Sequence, residues 1–251
     1  MSERVEALKV SVQHLNDVVI GIDAADYTLR AYPSEWTIAD TLSHLGSGAV
    51  IGQRRVEDVL AGREGDPSFN SSVWDEWNAK EPAAQVADCL ISDASLLECL
   101  ESTSPAKREA FHFSMGPFSF DFEGMVGLRL SEHVLHTWDV EVIERPGTTL
   151  DNGAANVILD DIGFMVAHAA TYTGEKRELI ISTLDPVRSF TLTLSSDGVS
   201  LVEKATSAPV DLVLPAESLV RLVYGRLDES STPSSVSGDV IDELRSVFHG
   251  I

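Results

Sequence analysis

A chain of 251 residues, 43% apolar and 23% charged, has ordinary globular composition and room for one large domain or two modest ones. Its 40 acidic against 18 basic residues give a formal charge of −22, which repels phosphate backbones and anionic lipid, so neither nucleic acid nor membrane is expected as a partner. The opening Met-Ser-Glu-Arg-Val-Glu lacks the basic start and apolar run of a secretory signal, and no later stretch reaches the roughly 18 apolar residues of a membrane span, so a cytoplasmic protein is expected.

Val5, Leu8, Val12, Leu15, Val19 and Ile22 follow one another at spacings of three and four, the seam of a first amphipathic helix in a bundle. A break at Pro33-Ser34 precedes a second helix. Thr37 and Asp40 suit its capping box, and Ile38, Leu42, Leu45, Ala49, Val56 and Leu60 carry its stripe to about Gly62. A polar loop through Pro67 and Asn70 follows, and then Val86, Leu90, Ala94, Leu97 and Leu100 place a third helix between Pro82 and about Leu100. Cys89 and Cys99 lie in it with neither CxxC spacing nor a nearby histidine, and read as reduced core cysteines. Phe111 to Phe120 alternates aromatic and polar residues around Gly116-Pro117, as a short hairpin or extended linker would. With the helix that follows, four helices and one long crossover make an up-down bundle.

That fourth helix carries charge where apolar residues are due. At about 100° per residue, Leu128, Leu135 and Ile143 define an apolar arc, and Glu132, His136 and Asp139 fall inside it, with Arg129 near its edge. Buried charge is costly unless it is paired or holds a metal. Glu132 and His136 offer a carboxylate and an imidazole from consecutive turns, and His44 on the flank of the second helix, with Gly48 one turn on leaving space beside it, offers another imidazole. Two histidines and one carboxylate with an open position are the pattern of catalytic zinc, although Glu-His pairs at this spacing also stabilise ordinary helices. His133 competes with Glu132 by its spacing from His136, but it lies further from the arc and is expected to be more exposed. Asp139 reads as a group orienting an imidazole N–H, Arg129 as an ion-pair partner for a carboxylate, and Asp40 as a helix cap. His14, His112, His168 and His249 join no constellation, the four tryptophans read as packing, and there is no phosphate loop or GxSxG elbow. The alternative is a buried ion-pair network without metal, in a binding or regulatory module.

Turn chemistry at Arg145-Pro-Gly-Thr148 marks a domain boundary, separating a bundle over 1–148 from a small α+β domain over 149–251. In the second part a helix is expected over about 151–171. Phe190–Leu194 and Val210–Leu214 alternate as half-buried strands, with Ser196-Asp197-Gly198 as a hairpin turn. Pro215 opens a helix carrying Leu219, Leu222 and Val223, and a loop from Glu229 to Gly238 leads to a last helix with Ile241, Leu244 and Val247.

Trp36-Thr-Ile-Ala-Asp-Thr-Leu-Ser-His44-Leu and Arg129-Leu-Ser-Glu132-His-Val-Leu-His136-Thr-Trp-Asp139 resemble the mycothiol-dependent maleylpyruvate isomerase family, itself similar to DinB-like bundles. The likeness covers most of the chain. It implies an α+β protein whose N-terminal DinB-like four-helix bundle holds zinc through His44, Glu132 and His136, followed by a small sterol-carrier-like domain. Leu219-Val-Arg-Leu-Val-Tyr-Gly-Arg226 resembles that domain's Leu-rich segment ending in Gly-Arg, which makes Arg226 a candidate catalytic residue for an anionic substrate or the thiol. The resemblance implies zinc and mycothiol as cofactors, and isomerisation or S-transfer on a small anionic or electrophilic substrate, in a monomer or homodimer. A thiol-independent zinc hydrolase would use the same three ligands.

Overall fold

The computed structural model describes residues 2–32 and 35–250, so the expected break at Pro33-Ser34 lies outside the described residues. The chain divides into two compact units, Met1–Thr148 and Thr149–Ile251.

The first unit contains α1 (Glu3–Ile20), α2 (Ile38–Leu60), α3 (Phe69–Asn78), α4 (Pro82–Ser102), α5 (Pro105–Glu109), a hairpin of β1 (His112–Met115) and β2 (Phe118–Asp121), and α6 (Phe122–Glu144). The long helices α1, α2, α4 and α6 form the bundle, with α2 packed mainly on α4 and α1 on α6. Each start has a local cause. The Ser2 hydroxyl accepts from the Val5 N–H, both halves of the Thr37–Asp40 capping box form, and Asp121 accepts from the Gly124 N–H. All six residues of the expected first seam are buried, five of them in α1 and Ile22 just past its end, and Leu15, Ile38, Leu42, Leu45, Val86, Cys89 and Val140 meet in one core cluster. Gly46 is required there, because a Cβ at that position would lie 2.2 Å from the Trp77 ring and 2.9 Å from the Cys89 Cα. In the hairpin Met115 pairs with Phe118 across a turn whose Gly116 has φ +57°.

Two expectations for this unit change. The polar loop expected through Pro67 and Asn70 contains the start of α3, whose buried residues are only Val73 and Trp77, one turn apart and too few to show a stripe. The buried face of α4 is Val86, Cys89, Asp93, Leu96 and Leu100, whereas Ala94 is exposed and Leu90 and Leu97 are half-buried. The buried face is therefore rotated from the expected stripe, and Asp93 lies within it.

The second unit contains α7 (Asn152–Leu159), α8 (Ile162–Ala169), β3 (Arg177–Leu184), β4 (Ser189–Ser195), β5 (Gly198–Glu203), β6 (Leu212–Pro215), α9 (Ala216–Val223) and α10 (Asp239–Val247). Its sheet runs β5-β4-β3-β6, antiparallel except for the parallel pairing of β3 with β6, where Ile181 faces Leu212. Leu179, Ile181, Phe190, Leu192 and Leu194 turn inward, and α8 packs on β5 while α7 packs on α9. The single helix expected over 151–171 is two helices separated at Asp160-Asp161, and β3 and β5 are added to the two expected strands. Within α9, Arg221 and Glu217 are a buried ion pair: Nε donates to Oε2 at 2.7 Å and Nη2 to Oε1 at 3.0 Å. Among the described residues no helix is long and apolar enough to cross a membrane.

Candidate metal centre

Helices α2 and α6 place one imidazole opposite a carboxylate–imidazole pair. His44 Nε2 lies 3.0 Å from Glu132 Oε2, and His136 Nε2 lies 3.6 Å from the same oxygen. One ligand atom from each of the three residues lies within 4.8 Å of the others. Two imidazole nitrogens and one carboxylate oxygen this close form a donor set that fits a divalent cation, with a coordination position left over. The Trp36 ring leans over both imidazoles, its centroid 5.0 Å from that of His44 and 5.7 Å from that of His136. Trp36 therefore walls the cluster instead of packing in the core as expected; its place just before the cap of α2, eight residues or about two turns ahead of His44, is the signal available.

Glu132 does not sit in the apolar core. From Leu130 to Glu141 it is the one exposed residue, with 47% of its side chain accessible, so it marks an opening in an otherwise enclosed helix. An arc drawn from Leu128, Leu135 and Ile143 cannot show this, because α6 is covered on nearly every side and Leu128 and Ile143 are themselves only half-buried.

Behind His136, its Nδ1–H donates to Asp139 Oδ2 at 2.8 Å, and Asp139 is fully buried. This contact fixes the ring and turns Nε2 toward Glu132. Burial of His136 works to lower its pKa, but the hydrogen bonds to Asp139 and Glu132 outweigh it and hold the pKa above the ordinary value. For Glu132, desolvation of the carboxylate by the groups packed beside it works to raise the pKa although about half of the side chain is accessible, and the hydrogen bonds from His136 and His44 overcome it and pull the carboxyl well below its usual range. The cluster thus concentrates negative potential at the two Nε2 atoms and the Glu132 oxygen, a field that favours a bound proton or a bound cation.

His133 is the reverse of its expectation. It is completely buried and points away from the cluster: Nε2–H donates to Asp93 Oδ2 at 3.1 Å and Nδ1 accepts from the Ser11 hydroxyl at 2.8 Å. Arg129 Nη2 donates to Asp93 Oδ1 at 2.5 Å and to the Leu45 carbonyl at 2.9 Å, so its carboxylate partner is Asp93 on α4. Burial lowers the His133 pKa against the pull of Asp93, which keeps the imidazole neutral. For Asp93, burial pushes the pKa up, and His133 and Arg129 together bring it below the ordinary value. This network ties α1, α4 and α6 together beneath the cluster, and Asp93 carried no motif that could have disclosed it.

Of the four expected site residues, the three in the first unit are brought together. Arg226 belongs to the second unit, where it is buried and its Nη1 donates to the Tyr224 carbonyl at 2.8 Å.

The family model for the mycothiol maleylpyruvate isomerase N-terminal domain matches residues 8–141. Two solved structures are similar to the chain: a mycothiol-dependent maleylpyruvate isomerase and a histidine-to-alanine mutant of that enzyme. Each has a TM-score of 0.65 at 16% identity and covers 94% of this chain and 93% of the other. The likeness extends over both units and shows the fold, an α+β chain with an N-terminal helical bundle. No curated protein sequence matches the chain.

Proposed function

Since the chain belongs to the mycothiol maleylpyruvate isomerase N-terminal domain family, we propose that it is a mycothiol-dependent zinc enzyme of the cytoplasm, a monomer or homodimer. It would act by isomerisation or S-transfer on a small electrophilic or anionic substrate. The observation that carries the reading is the convergence of His44, Glu132 and His136 on one opening of the bundle. Those three side chains would hold the metal, and zinc bound there would keep a thiol in its nucleophilic thiolate form at neutral pH.

The surrounding residues supply what such chemistry needs. Asp139 holds the His136 ring so that the Nε2 lone pair faces the opening. Glu132, at the one accessible position of that stretch, admits a small molecule to the cluster, and Trp36 offers a flat wall on which an extended substrate rests. Metal and thiol, when bound, would supply a nucleophilic sulfur for reversible addition to an activated double bond, the displaced π pair passing to the conjugated electron-withdrawing group; its return after rotation would expel the sulfur, whereas in S-transfer a proton taken up at carbon would give the released adduct. Arg226, at the end of the Gly-Arg segment, is the proposed partner for the anionic group of the substrate or thiol.

Elemental mass spectrometry of the purified chain tests the metal. The expected result is near one zinc per chain, lost in His44→Ala and in Glu132→Ala, with turnover that depends on added mycothiol. Absence of zinc after reconstitution would refute the enzyme reading and leave a binding module. Zinc-dependent turnover without thiol would refute the thiol and point to hydrolysis.

A further inference from the structure

His44 and Arg55 are eleven residues apart on α2, about 16 Å along the helix axis at 1.5 Å per residue and nearly on one face. At the Arg55 end the first unit has a second opening, a cleft of about 350 Å³ between α2, the loop before α3, the start of α3 and β1. This falls within the size range of small-molecule sites. Arg54, Arg55 and Arg63 line it, three of the chain's 18 basic residues, together with Asp58 and Asp66.

The charges are unevenly matched. Asp58 is taken up on both oxygens, by Arg54 Nε at 2.8 Å and Arg63 Nε at 2.6 Å. Asp66 accepts from the Ser68 N–H at 2.8 Å and its hydroxyl at 2.7 Å. That leaves Arg55: among the described residues no carboxylate or hydrogen-bond acceptor engages it. Its guanidinium carbon lies over the Phe113 ring, 4.0 Å from the centroid, and the residue is half-buried. The stacking holds the plane of the fork and leaves its N–H edge free, the arrangement that grips a two-oxygen anion. Burial also lowers the Arg55 pKa, the mark of a desolvated cation without a counter-charge. In a protein of net charge −22, an arginine that forms no ion pair among the described residues, beside two aspartates engaged elsewhere, is not explained by folding alone.

We infer that this cleft is a second ligand site, taking a small organic anion whose carboxylate or phosphate is forked by Arg55 and whose apolar body lies against Phe113, Phe69 and Ile51. Its distance along α2 from His44 makes it separate from the metal cluster, so it stands whether or not zinc binds there.

Isothermal titration calorimetry of the full chain with benzoate, phenyl phosphate and inorganic phosphate tests it. At least one organic anion is expected to bind one to one, more weakly as salt rises. Arg55→Gln should weaken it about tenfold or more, the loss of a charge-assisted pair. Phe113→Leu should weaken both organic probes and leave inorganic phosphate unchanged, and Glu132→Gln should change nothing. Tighter binding of phenyl phosphate than of benzoate supports a phosphate ligand, and the reverse order a carboxylate. No binding of any probe at millimolar concentration, binding indifferent to Arg55→Gln, or binding lost in Glu132→Gln would each overturn the site.

Discussion

Asp139→Asn isolates the contact that orients His136. The side chain keeps its shape, but the fully buried carboxylate 2.8 Å from His136 Nδ1 becomes a neutral amide. If the amide NH₂ faces Nδ1, the imidazole proton moves to Nε2, the nitrogen turned toward Glu132, and must be displaced before a metal binds there. If the amide oxygen faces it, the tautomer survives, but the ring loses its anionic partner and with it basicity. Partners of this kind are worth roughly 10–100-fold in metal affinity, or about 1.4–2.7 kcal/mol. Competition for zinc with a chromophoric chelator at pH 7 measures the change, with circular dichroism to confirm an intact helical bundle. Zinc affinity within about twofold of wild type, in a folded Asp139→Asn protein, would refute both the role of Asp139 and the assignment of His136 as a ligand.

Gly46→Ala puts a methyl 2.2 Å from the enclosed Trp77 ring, overpacking that should cost about 1–3 kcal/mol and lower the thermal midpoint; an unchanged midpoint would contradict the packing described. His133, held neutral by burial, has a folded pKa below its unfolded value of about 6.5, so it contributes stability above that pH that is lost as pH falls toward the folded value. Asp93, also depressed, loses its contribution at lower pH, below about 3.9, whereas His136, raised, works in the opposite direction and loses its contribution as pH rises. The difference in urea unfolding free energy between wild type and His133→Asn should therefore shrink between pH 7.5 and 5, and a constant difference would exclude a depressed His133. In the second unit, Glu217→Ala leaves the buried Arg221 without its carboxylate and should cost about 3–5 kcal/mol, while Glu217→Leu with Arg221→Met should cost less than the single change. A double variant as unstable as Glu217→Ala would count against the pairing.

The seam of α1, the capping box and stripe of α2, the hairpin before α6 and the Pro215 start of α9 were legible because each rests on interactions within a few residues. The same locality explains what was missed. With Val73 and Trp77 alone buried, α3 leaves no stripe, and one run from 151 to 171 conceals the turn at Asp160-Asp161. His44, Glu132 and His136 could be named from residue type and helical spacing, and the family from the motifs around them.

What periodicity reports is the angle of a residue around its own helix. It does not report how many neighbours surround that helix, and this is why Glu132 and His133 exchanged places between expectation and structure. Two helices, α2 and α6, bring His44 and Glu132 together to make the cluster, and a third, α4, supplies Asp93 to hold His133 and Arg129. Residue type and local spacing set which residues could bear charge and where helices begin. Which of those charges face one another follows from the packing of the helices, because a buried charge is settled by the partner that reaches it from another element, and that partner carries no signal in the local sequence.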